Sequence, residues 1–123
     1  MKRWVLLTAL LPTSAAIAAA DMLPLTKGIY VTPGVACKGA SNADTTSYWG
    51  GDNGINDQQT ECRIARMTRA GNNYRLSRQC RNIREDSSFT DELSVTVLNR
   101  TSFRLNNENG SAQFRYCGPK VQF

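Results

Sequence analysis

The sequence predicts a small all-β domain. Its antiparallel meander closes into a barrel or strongly curled sheet and is stapled by disulfides. Three observations lead there. Short runs of alternating apolar and polar residues recur, separated by Gly- and Asn-rich turns. No long segment carries an apolar stripe at helical spacing. Four cysteines, Cys37, Cys62, Cys80 and Cys117, make an even set. Closure into a barrel or curl follows because it protects strand edges in a chain this short.

The first twenty residues have the form of an export signal. Lys2 and Arg3 supply a positive n-region, positions 4–11 a short apolar core, and Ala18-Ala19-Ala20 a small-residue cleavage site. Cleavage after Ala20 leaves a single exported β domain over 21–123. The alanine-rich leader points to bacterial periplasm or secretion. Its apolar core is too short to span a bilayer, and no later run is apolar enough, so no stable membrane insertion is expected.

Within the domain, 21–27 reads as an approach segment kept extended by Pro24. Gly28 to Thr32 reads as a strand ended by Pro33-Gly34. Residues 38–60 are rich in Gly, Asn, Asp, Ser and Thr and read as a long structured loop containing a short strand over 45–49. A hairpin follows over 61–80, turning at Ala70-Gly71-Asn72. Reflection about Gly71 sets Ile64 opposite Arg78, Arg66 opposite Leu76 and Thr68 opposite Tyr74. Cys62, Ile64, Tyr74, Leu76 and Cys80 then share the core face, and Arg63, Arg69 and Arg75 share the outer face with Met67. Residues 92–98 alternate, with Leu93, Val95 and Val97 inward. After a turn at 99–101 comes a strand over 102–105, a second turn at 106–110, and a last strand over 111–117 that returns Phe114 and Tyr116 to the sheet.

An exported chain places its cysteines in an oxidising compartment, so two disulfides are expected. Three pairings are open. The hairpin register sets Cys62 opposite Cys80, a possible but constrained bridge. Stapling of distant segments favours Cys37–Cys62 with Cys80–Cys117. No C-x-x-C pair and no histidine occur, which speaks against zinc.

Once Lys2 and Arg3 leave with the signal, thirteen basic residues face ten acidic ones, a net charge of +3. That is mild for a polyanion binder, and export makes nucleic acid an unexpected partner. The absence of histidine removes Ser-His-Asp and Cys-His catalysis. No phosphate-binding glycine loop or dinucleotide fingerprint is present, and no cofactor is expected. A carboxylate-only hydrolase would need two placed acids. Glu85, Asp86, Asp91 and Glu92 cluster, but around Ser87-Ser88 they read as a solvated loop. No catalytic residue is therefore assigned.

Two surfaces could carry recognition. In the 38–60 loop, Tyr48 and Trp49 adjoin Asp52, Asn53, Asn56 and Asp57, pairing aromatic faces with hydrogen-bonding groups. The competing reading makes the two rings core plugs and the rest turn chemistry. The spacing of these oxygens with Glu61 does not match a calcium loop, so no metal is expected. The second surface is basic. Seven arginines (Arg63, Arg66, Arg69, Arg75, Arg78, Arg81 and Arg84) fall within the hairpin and its exit. Arg63, Arg69 and Arg75 are candidates for gripping an anionic partner, against the plain alternative of a solvated face balanced by Glu61, Glu85 and Asp86.

The signal, the length, Cys37 and Cys117 as staples, and the strands over 61–80 and 92–98 together resemble the periplasmic lysozyme inhibitors. These are small β-barrels that insert a loop into an enzyme cleft. The Ser-Ala-Ser-Gly-type loop of the c-type inhibitors has no counterpart in this chain, so no inhibitory residue is carried over. The functional expectation is a non-enzymatic periplasmic or secreted binding module, inhibitor- or immunity-like, that recognises a protein or cell-envelope glycan through the 38–60 loop. The alternative is an envelope structural or stress protein holding anionic polymer on its arginine face.

Overall fold

The computed structural model describes residues 22–57, 59–107 and 110–123. The expected signal at 1–20 and its junction at Asp21 lie outside the described residues. Seven strands form one sheet: β1 (Gly28–Val31), β2 (Thr45–Tyr48), β3 (Thr60–Ala70), β4 (Asn73–Asn82), β5 (Ser87–Asn99), β6 (Ser102–Asn107) and β7 (Gly110–Gly118). Their order is β2-β1-β7-β6-β5-β4-β3, and every neighbouring pair is antiparallel. The sheet curls into a half-barrel stapled by two disulfides. A single 3-10 turn, Asn42–Asp44, precedes β2, and no α-helix occurs among the described residues.

Alternation sets the two faces. Tyr30, Tyr48, Ile64, Tyr74, Leu76, Val95, Val97, Phe103 and Phe114 fill the concave side, as period-two patterning requires. Tyr30 lies edge-on to Phe103 at 5.0 Å and to Tyr116 at 5.3 Å, while Phe103 stacks on Phe114 at 5.3 Å. Such pairs add about 0.5–1.5 kcal/mol each beyond buried area. β1 is buried at all four positions. The coil after β1 and the C-terminal residues lie along its other face, held by Cys37–Cys117 and by Gly39 N donating to Gln122 O at 2.9 Å. Gly28, at φ +146°, permits the close approach of β1 to β7. A Cβ there would stand 2.3 Å from the Gly118 carbonyl oxygen.

The N-terminal segment is core, not an approach. Leu23 and Leu25 are buried in the cluster that closes one end of the half-barrel. The Tyr48 hydroxyl lies 3.2 Å from both the nitrogen and the oxygen of Leu23, satisfying both backbone groups. Thr26 N donates to Arg100 O at 2.8 Å.

The disulfide preference is corrected. Cys62 bonds Cys80, and Cys37 bonds Cys117. The β3–β4 ladder brings Cys62 and Cys80 directly opposite one another, with Cα atoms 4.0 Å apart. A facing antiparallel pair delivers two thiols together as soon as the hairpin forms, whereas the preferred alternative needs remote segments to meet. The hairpin register also differs past Ile64. A bulge at Ala65 shifts the phase, so Arg66 pairs Ser77, Met67 pairs Leu76 and Arg69 pairs Tyr74. Met67 therefore packs on the core, and Arg69 sits on the concave side with its guanidinium 5.1 Å from the Tyr74 ring centroid. The turn has two residues, Gly71-Asn72, with Gly71 at φ +63°. β5 begins at Ser87, well before the alternation at 92–98, because its first half pairs with β4 from Asn82 to Ser77; Phe89 is the one large apolar residue of that half.

Two outcomes follow. The loops closed by the bridges span 18 and 80 residues. In the chain-entropy account they contribute about 3 and about 4.5 kcal/mol. Urea unfolding should therefore show a larger loss for Cys37→Ser/Cys117→Ser than for Cys62→Ser/Cys80→Ser. Burial, with the charges of Tyr116 and Tyr48 as lesser causes, raises the Tyr30 phenol above its ordinary range. A raised acid keeps its proton longer in the folded state. Its contribution is thus full below a pH of about 10 and is lost as pH rises beyond it. Tyr30→Phe should make the alkaline fall in stability, followed by circular dichroism, shallower.

Candidate binding site at the open end of the half-barrel

The half-barrel is closed at the Leu23 end and open at the other. A cavity of about 530 Å³ occupies the open end. One wall is Asn42, Ala43, Thr45 and Thr46, the start of β2 and the turn before it. The next comes from 55–60, through Ile55, Asp57, Gln59 and Thr60. Facing them are Arg78 on β4, Leu93 on β5, Leu105 on β6 and Phe114 on β7. The floor is apolar and the rim polar, the mixture usual in ligand and partner sites.

Arg78 organises the tall side of this mouth. Its Nε and Nη2 donate to the two carboxylate oxygens of Asp91 at 2.8 and 2.7 Å, and Nη1 donates to the Ile55 carbonyl at 2.6 Å. The Arg78 side chain is only 12% exposed. The fork thus neutralises Asp91 and ties β4 and β5 to the 52–56 segment. Register predicts the inward aim of Arg78, because it stands opposite core residue Ile64. An arginine on a core face stands out because its residue type is mostly exposed.

The loop residues expected to meet a partner are divided by the structure. Tyr48 is fully buried, its ring in the core. Trp49, next in the chain and on the other side, is 44% exposed. Asp52 pairs with Arg63 at 3.3 Å. Asn53 Nδ2 donates to Gly50 O at 2.7 Å. Asn56 Nδ2 donates to Gly54 O at 2.9 Å, and its Oδ1 accepts from Cys62 N at 2.6 Å. These side chains build the turn. Asp57 alone among the six lines the mouth; its Oδ1 accepts from the amides of Gln59 and Thr60.

The arginine face separates likewise. Arg63 and Arg75 lie on the convex face, but the bulge turns Arg69 to the concave one. Arg75 pairs with Glu92 at 3.1 Å, and Arg81 with Glu61 and Asp86 at 3.1 and 3.4 Å. Exposed pairs of this kind add little stability, but they cancel the far field of the patch. Asp86, Asp91 and Glu92 of the acidic cluster are each held by an arginine. Among the described residues, no three His, Cys, Asp or Glu side chains gather as a metal site, and no helix is long and apolar enough to cross a membrane.

No family model, curated protein or solved structure matches the chain.

The burial contrast at the loop has a direct check. Tyr48→Ala should cost about 3–5 kcal/mol, the range for removing a buried aromatic. Trp49→Ala should change stability by under about 1 kcal/mol. Thermal or urea unfolding of the two variants reads the difference.

Proposed function

We propose that this protein is a non-enzymatic binding module of the periplasm or the extracellular medium, and that it takes up part of a partner at the open end of the half-barrel. The observation that carries this reading is the roomy cavity with an apolar floor and a polar rim. Two of its walls come from the 38–60 segment, at 42–46 and 55–60. That segment therefore remains the recognition element, through its flanks rather than through Tyr48. Two disulfides suit an oxidising, extracellular-type compartment, and the export signal read at 1–20 agrees. The partner is a protein or an envelope glycan, in keeping with an inhibitor or immunity role of the kind the lysozyme inhibitors fill. The reading as an envelope protein gripping polymer on arginines has less support, since Arg63 and Arg75 are already paired and Arg69 faces the other way. A carboxylate hydrolase has less still, because the clustered acids serve as arginine partners.

Affinity capture from envelope extract tests the reading. Ala43 is exposed and lines the mouth, so Ala43→Trp obstructs it without touching the core. Capture by Ala43→Trp should fall at least about tenfold, while Trp49→Ala captures normally. Loss with Trp49→Ala and retention with Ala43→Trp would return recognition to the loop tip.

A further inference from the structure

β5 is longer than the strand beside it. β4 pairs with β5 from Ser87 to Thr96, but β6 joins only at Ser94, opposite Asn106. Among the described residues, no backbone pairs with 87–93 on the side away from β4. Seven residues of strand thus present a row of unmatched N–H and C=O groups. Cross-strand positions set Phe89, Asp91 and Leu93 on the concave side, opposite Cys80, Arg78 and Leu76. The open-end cavity reaches this edge at Leu93. A second recess of about 460 Å³, lined by Arg75, Glu92, Ser94 and Asn106, begins where β6 stops. Among the described residues, the edge is therefore open at both faces. Phe89 on this edge is 41% exposed, a partly uncovered apolar ring.

We propose that this edge is a strand-addition site for an extended polypeptide segment of the partner, a deepening that rests on the open-end reading above. Only main chain supplies donors and acceptors at the spacing the edge displays. Inward side chains of the added strand stand beside Phe89, Asp91 and Leu93, the last of these where the cavity begins, and those beside Phe89 and Leu93 are apolar. Those between them continue the Ser88 and Thr90 face, and so are polar. The charge at the mouth selects a cation. Arg78 is spent on Asp91 and Ile55, leaving Asp57, which makes no ion pair among the described residues, as the uncompensated charge at the rim. The segment recognised is an alternating apolar–polar strand with a lysine or arginine at one end.

A synthetic heptapeptide alternating Val and Thr and ending in Lys tests this against the full oxidised protein. Two further versions carry N-methyl groups on alternate amides, one in each phase. The side chains are unchanged, but one edge of each methylated strand can no longer pair. The unmodified peptide should slow amide exchange at alternate residues of 87–93. One methylated phase should bind at least about tenfold more weakly, the effect of losing two or more main-chain hydrogen bonds. Equal binding of all three peptides would overturn strand addition and leave a cavity that holds side chains alone. No binding of any peptide at millimolar concentration, with capture still sensitive to Ala43→Trp, would overturn it too. So would protection of the same amides by self-association without peptide, which gives the edge to a second copy. Failure of the open-end reading itself shows elsewhere, as capture indifferent to Ala43→Trp.

Discussion

The curled sheet depends on how its two ends are joined. β2 and β3 are the terminal strands, and left apart they would expose two full edges. Residues 52–56 lie between them. Ser47 and Asn56 exchange backbone hydrogen bonds at 2.8 and 2.9 Å on the β2 side. Gly54 N reaches Cys62 O at 2.9 Å, and Ile64 N reaches Asp52 O at 2.7 Å, on the β3 side. The segment is too irregular to be a strand, yet it pairs with part of each edge, at Ser47 on β2 and over 62–64 on β3. It also inserts Ile55 into the core, where the residue is 3% exposed. Asn56 completes the join by accepting from Cys62 N through its side chain.

This join makes the two ends of the half-barrel unequal. Toward Leu23 the cavity is filled by Leu23, Leu25 and the Tyr48 ring, with the hydroxyl bound to backbone. Among the described residues nothing comparable enters toward Thr60, and the tall wall of β3, β4 and β5 rises past the shorter β6–β7 hairpin. The Arg78 fork holds that wall to the joining segment at Ile55. One molecule thus has a filled end, where substitution costs stability, and an open end, with exposed walls and, among the described residues, an outer edge of β5 that no backbone pairs. Residues at the open end can change without disturbing the core.

Much of the fold was legible because period-two patterning is local. The strands at 28–32, 45–49, 61–80 and 92–98 appear near their expected places, and Cys62, Ile64, Tyr74, Leu76 and Cys80 share the core face. What escaped was either a one-residue event or a long-range one. The bulge at Ala65 leaves no mark in composition, yet it reverses the faces of Met67 and Arg69. The burial of Leu23 and Leu25 depends on Tyr48, twenty-five residues away from Leu23. In the candidate site, the composition of 38–60 marks the segment out, but Asn53, Asn56 and Asp57 bond nearby backbone and Asp52 pairs with Arg63. The inward arginine was hidden by the ordinary exposure of its residue type.

Residue pattern alone is enough for the class: short alternating strands, turns at Gly71 and 99–101, an even cysteine set and no histidine. Each of these follows from local preference or simple counting. The disulfide partners, the strand order, the join by 52–56 and the position of the open end emerge from the folded arrangement. Those depend on which remote segments meet, and pairing of remote backbone is governed by register and shape across the whole sheet rather than by the identity of neighbouring residues.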